Sequence, residues 1–170
     1  EIWTSSFTLK AHAPQLEYSG YLLNDEQGNN NGNFDPGEAV QITIYVTNSG
    51  SSRAFGVTGD LTTSDSYITL ATDPQFFGDA EPDEVISASF VLVADEQTPS
   101  GHPAFFDFNL SADLGISGFG QFNLTIGPIP VLIIDLDGNH NSADSIQQTI
   151  TKMGIVSEST SSIPAELALY

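Results

Sequence analysis

Asn29, Asn31, Asp35 and Glu38 carry side-chain oxygens at spacings that suit a hard cation. They lie in DEQGNNNGNFDPGE, residues 25–38, where four asparagines, three glycines and one proline stand among four acidic residues. Counting back twelve places from Glu38 puts Gln27 first in an EF-hand-type loop, Asn29 third, Asn31 fifth and Gly32 sixth. Asn33 then falls seventh, through its carbonyl, and Asp35 ninth. Calcium takes six to eight oxygens at flexible distances, so alternate side chains must turn inward around a sharp bend, which Gly32 permits, and a bidentate Glu closes the shell. Gln27 stands where an Asp is usual, and Asp25 or Glu26 replaces it only if the loop shifts. With Asp35 and Glu38 as the charged ligands in register, affinity is expected at about 10⁻⁴–10⁻³ M, as in extracellular modules. The competing reading is a plain turn, because Asn, Gly and Pro tolerate left-handed backbone or fix φ without any ion.

Other candidates are weaker. The stretch DLDGNHNSAD offers Asp135, Asp137, Asn139, Asn141 and Asp144 at the end of an apolar strand, where ligands gather in open α/β sheets. Counted from Asp135, however, His140 takes the place where Gly is wanted and Ile146 the place of the closing Glu, so a capped strand-to-helix loop is the better reading. His12, His102 and His140 are scattered without zinc spacing, and no Gly-x-Ser-x-Gly elbow is present. The carboxylate pairs Asp83–Glu84 and Asp95–Glu96 lie in polar stretches that read as solvated turns.

Charge narrows the partners. Against 22 acidic residues the chain has 3 basic ones, Lys10, Arg53 and Lys152, for a formal net charge of −19. Such a surface repels nucleic acid and anionic membranes and favours cations. Only 15% of the residues are charged while 39% are hydrophobic, so the chain folds rather than behaving as an acidic tail. Without cysteine there is no disulfide, zinc thiolate or thiol nucleophile. No basic-then-apolar signal stretch or run of about 18 apolar residues occurs, so membrane insertion is not expected and the chain reads as an exported piece with its leader removed.

Short alternating segments separated by Gly, Pro, Asn and Asp dominate to about residue 127, the pattern of an antiparallel β-sandwich. Val40, Ile42, Ile44 and Val46 fall on one face of a strand. The same alternation turns Ile86, Ala88, Phe90 and Leu92 inward, then Phe106, Phe108 and Leu110, then Phe122, Leu124 and Ile126. With segments 15–22, 55–62 and 66–71 this makes about seven strands, enough for two sheets that cover each other. FTLKAHAPQL, residues 7–16, and FNLTIGPIPVL, residues 122–132, echo each other as a strand with a Pro-containing exit. Residues 1–13 therefore read as the last strand of a preceding module or an N-terminal extension. After Pro130 an apolar strand, an acidic loop and an amphipathic helix with Ile146, Ile150 and Met153 lead to an Ile155–Val156 strand, so residues 128–170 open an incomplete βαβ unit.

GNNNGNFDPGEAVQITIYVTNSG, followed by AFGVTGDLTTSDSYITL, ISASFVLV, TPSGHPAFFDFNLSA and GQFNLTIG, resembles the immunoglobulin-like modules of large secreted bacterial proteins. Modules similar to the cell-adhesion-related bacterial domain (CARDB) are among them, as are those beside gingipain-like and other secreted peptidase domains. The resemblance covers residues 14–127 and implies a non-catalytic sandwich for surface display, adhesion or support of a neighbouring catalytic domain. It also implies calcium held by Asn29, Asn31, Asp35 and Glu38, with Asn33 through its backbone. The leading expectation is a calcium-stabilised Ig-like spacer or adhesion module, secreted or at the cell surface. Its partners would be neighbouring domains of a parent protein, other surface proteins or glycans. Alternatives are the accessory region of a secreted peptidase or hydrolase, and a filament subunit in which Ile2–Leu9 completes a neighbour's sheet.

Overall fold

A computed structural model describes residues 3–6, 8–128, 131–136, 141–153, 155 and 157–163. Eight strands form the sandwich: β1 (Leu16–Asn24), β2 (Ala39–Asn48), β3 (Ala54–Thr62), β4 (Ile68–Leu70), β5 (Gln75–Ala80), β6 (Val85–Ala94), β7 (His102–Ala112) and β8 (Ile116–Ile126). One four-stranded sheet has the order β1-β2-β6-β4 and the other β5-β3-β7-β8, with antiparallel pairing throughout. This is an Ig-like arrangement: four strands face a three-strand sheet that β5 widens at its edge.

The period-two pattern decides which faces meet. Val40, Ile42, Ile44 and Val46 are buried, as are Phe90 and Leu92 from β6, and they pack against Phe106, Phe108, Leu110, Leu124 and Ile126 of the opposite sheet. Phe77, Phe90 and Phe108 meet edge-on or tilted at 5.8–6.4 Å between ring centroids, an arrangement aromatic rings favour over face-to-face stacking.

The strand not expected is β5. Its QFFGDA sequence alternates only briefly, and its pairing with β3 slips at Val57, so its periodic signal is weak. Asp79 secures it: one carboxylate oxygen accepts the Gly56 N–H at 2.8 Å and the other accepts Arg53 Nη2 at 2.7 Å. These hold the Asp79 carboxyl below its usual 3.8, the Gly56 N–H contributing most and Arg53 next. Because the folded value is the lower one, the contribution is complete above 3.8 and is lost as pH falls through the folded midpoint. An NMR titration is expected to place Asp79 below 3.8, and Arg53→Ala to move it only part-way back; a midpoint at or above that value would contradict the latch.

Along one flank β1 and β8 run in the same direction, each in its own sheet. Leu16 lies against Gly118 and Tyr18 against Gly120, where a Cβ on either glycine would come within 2.5 Å of the neighbour. Further along, the Tyr21 hydroxyl donates to the Asn123 carbonyl at 3.4 Å. The chain thus comes into the sandwich at one end and leaves it, after Ile126, at the other.

Before β1 the described residues 3–6 and 8–15 form no strand, and Trp3 and Leu9 are exposed. After the sandwich, β9 (Val131–Ile134), α1 (Asn141–Lys152) and β10 (Ser157–Thr160) make the expected βαβ unit, with β9 and β10 paired in parallel. The second strand is described over Ser157–Thr160, with Ile155 outside it; Val156 lies outside the described residues. No helix among the described residues is long and apolar enough to cross a membrane.

Candidate metal centre

The 25–38 segment is a compact loop between β1 and β2, built from two tight turns. The first runs from Asp25 to Gly28, closed by the Gly28 N–H on the Asp25 carbonyl at 2.7 Å. In the second, Asp35-Pro36-Gly37-Glu38, the Glu38 N–H reaches the Asp35 carbonyl at 3.2 Å, and Gly37 has φ +80. Proline followed by a positive-φ glycine is what a type II turn demands. Phe34 anchors the middle: it is buried in the core, bridges to Ile126 and accepts the Gly127 N–H at 2.7 Å.

Between the turns the polar side chains point at one another. Glu38 is buried, and its two oxygens accept the N–H groups of Asn29 at 2.5 Å and Asp35 at 3.0 Å. Asp25 is buried too, and its Oδ2 accepts the Gly32 N–H at 2.9 Å. Asn29 and Asn31 both donate through Nδ2 to Asp35 Oδ2, at 2.8 and 2.7 Å. Their Oδ1 atoms accept the N–H groups of Asn31 and Asn33 at 3.0 and 2.8 Å.

Five of the six residues expected from the register take part in this network, while Gln27 is exposed in the first turn and, among the described residues, none of these side-chain hydrogen bonds involves it. The buried carboxylate on that side is Asp25. The Asp25–Gly28 turn folds Asp25 back over Gly32, a shift that a count of one residue per place cannot show. The clue in the sequence is Gly28, where a Cβ would lie 1.8 Å from Glu38 Oε1. Gly28→Ala is therefore expected to displace Glu38 and disorder the loop, seen as faster amide exchange at Asn29 and Asp35; unchanged exchange would contradict the packing.

The donor set is all oxygen and suits a hard cation. Each carboxylate and amide oxygen that accepts one N–H keeps another lone pair. The two asparagine amides stand where a cation would otherwise balance the Asp35 charge. Carboxylates alone do not make the shell: among the described residues, no three Asp, Glu or His side chains form a group able to hold a metal. The asparagine oxygens and backbone carbonyls are needed.

No protein-family model matches the sequence, and no curated protein matches it. Several solved structures are similar in fold. Escherichia coli alpha-2-macroglobulin aligns at 13% identity and a TM-score of 0.48 over 67% of this chain, which spans 7% of that protein. A CARDB domain from Pyrococcus furiosus, solved in complex with di-metal ions, aligns at 13% identity and 0.41 over 72% of this chain and 94% of its own. The PapD-like domain 7 of human CEP192 aligns at 10% identity and 0.36, over 76% and 98% respectively.

Elsewhere the structure brings together a pair that spacing did not reveal. His102 Nε2 lies 2.6 Å from Asp65 Oδ2, with Tyr67 edge-on to the imidazole at 5.1 Å. The pair fastens the segment before β4 to the start of β7, a structural role. In the second acidic loop Asp135 is buried at the end of β9 and Asp144 lies in the first turn of α1. Asp137, Asn139 and His140 lie outside the described residues.

Proposed function

We propose that this chain is a non-catalytic, calcium-stabilised Ig-like spacer or adhesion module of an exported multidomain protein. The observation that carries the reading is the loop between β1 and β2, where Asp25, Asn29, Asn31, Asp35 and Glu38 converge through hydrogen bonds and two of the carboxylates are buried. Charge this dense is costly to bury without a counter-ion, and no Lys or Arg lies in the segment. Asp25, Asn29, Asn31, Asp35 and Glu38 would hold calcium, with the Asn33 carbonyl, and the ion would neutralise charge and fix the loop. A net charge of −19 agrees with calcium-containing surroundings outside a cell. Thermal melting in calcium and in chelator tests this directly. A higher midpoint in calcium, absent with magnesium at equal ionic strength, is expected; equal midpoints would sink it.

A second reading, the accessory region of a secreted hydrolase, is favoured by the βαβ unit. Ile134, Leu136, Ile146 and Met153 are exposed there, apolar surface that a larger α/β domain would cover. Sequencing the parent gene and assaying its product for peptidase activity would separate the two readings.

A further inference from the structure

The outward face of the β5-β3-β7-β8 sheet carries three phenyl rings that no fold requirement explains; a fourth exposed ring, Phe55 of β3, lies under the Arg53 guanidinium. Phe76, Phe105 and Phe119 are 69%, 68% and 57% exposed. Alternation places them opposite the core, among polar side chains of which Asp60, Asp79 and Asp107 are the acidic ones. Phe105 pairs with Asn123, Asp107 with Gln121, and Asn109 with Phe119, so polar groups fill the rows between the rings. Gln121 Nε2 donates to Asp107 Oδ1 at 2.6 Å, holding two planar polar groups side by side. This pair lines a shallow depression of about 270 Å³ together with Phe105 and Asn123. Phe119 sits opposite Asn109, four residues along β7 from Phe105, which separates the two rings by roughly 14 Å at about 3.4 Å per residue.

We propose that this face binds an uncharged polysaccharide. The inference rests on the adhesion reading above and supplies its ligand class. A pyranose ring presents an apolar C–H face and an edge of hydroxyls. The exposed phenyls offer flat apolar platforms for the first, while the Asp107 carboxylate and the Asn109, Gln121 and Asn123 amides accept and donate to the second. Charge selects the class. Lys10 and Lys152 lie outside β3, β5, β7 and β8, and Arg53, which reaches over Phe55 at the edge of this sheet, is already paired with Asp79 and Glu81, so these strands offer no unpaired Lys or Arg to a sulfated or uronic-acid polymer. A second copy of the chain is disfavoured by like net charges of −19. A protein partner would want one contiguous apolar centre rather than separate rings in a polar field.

Affinity electrophoresis of the full chain through native gels containing xylan, glucomannan or mixed-linkage β-glucan, with alginate as the anionic control, tests the assignment. Retardation by at least one uncharged polymer and not by alginate is expected. Phe105→Ala combined with Phe119→Ala is expected to weaken it at least tenfold, and Gln121→Ala severalfold, with melting midpoints confirming that each variant folds. Binding to no uncharged polymer, retardation by alginate alone, indifference to both sets of substitutions, or self-association through these rings would overturn it. Running the gels with calcium and with chelator separates the two readings. Lost glycan binding beside an intact calcium response removes only this inference, whereas the reverse removes only the calcium loop.

Discussion

Asn48→Ala is expected to lower the stability of the sandwich by about 3 kcal/mol or more, since each buried polar group left without a partner costs about 1–3 kcal/mol. Asn48 is fully buried, and its amide is fully used. Oδ1 accepts the N–H groups of Gln15 and Gly50, both at 3.1 Å, and Nδ2 donates to the carbonyls of Ser52 at 2.8 Å and Ala80 at 2.9 Å. Its backbone joins the 81–84 turn as well, through Glu84 and Asp83. One side chain therefore closes the end of β2 onto the start of β1, the following loop and the end of β5. Alanine strands two donors and two acceptors at once. Asn48→Asp keeps the acceptor but buries a charge and abandons both carbonyls, so it is expected to do no better. Urea unfolding reads the effect as a lower midpoint at constant slope; a loss under about 1 kcal/mol would mean that water takes over these bonds.

Glu38→Gln is expected to abolish the calcium-dependent rise in melting temperature, and Asp25→Asn to reduce it strongly, while Gln27→Ala leaves it intact. A ligand that binds only the folded state adds about 2.7 kcal/mol at a hundred times its dissociation constant. For an affinity near 10⁻⁴ M, that gain needs about 10 mM calcium. The three variants separate two geometries. Loss in Gln27→Ala with retention in Asp25→Asn would restore the twelve-residue count from Gln27 and contradict the loop's folding at Asp25. Retention in Glu38→Gln would remove the site altogether.

The sandwich was legible in the sequence because burial follows a period of two wherever one face meets the core. Val40 to Val46 and Phe106 to Leu110 show this without ambiguity, and the structure buries each as alternation requires. β5 escaped because an edge strand with slipped pairing need not alternate for long, and Phe76 points outward where an apolar residue suggests the core. At the candidate site the residue types were readable but the path of the chain was not. Whether Asp25 or Gln27 faces the loop depends on the Asp25–Gly28 turn, a backbone hydrogen bond that no count of side chains contains. Asn48 gave a different kind of silence: an Asn in a strand ending VTNSG looks like a turn residue, and only the convergence of β1, β2 and β5 makes it a hub.

The parallel course of β1 and β8 also fixes how the module answers to force. Tension applied at Leu16 and Ile126 acts along the length of both strands, and the hydrogen bonds of an antiparallel ladder lie across that direction. The β1–β2 and β7–β8 ladders are therefore sheared as whole rows instead of being unzipped one bond at a time. At the exit, the load meets the Gly127–Phe34 bond and, through Phe34, the loop that Asp25 and Glu38 organise. An ion seated there would work as a mechanical clamp, stiffening the end of the module at which the chain continues towards β9.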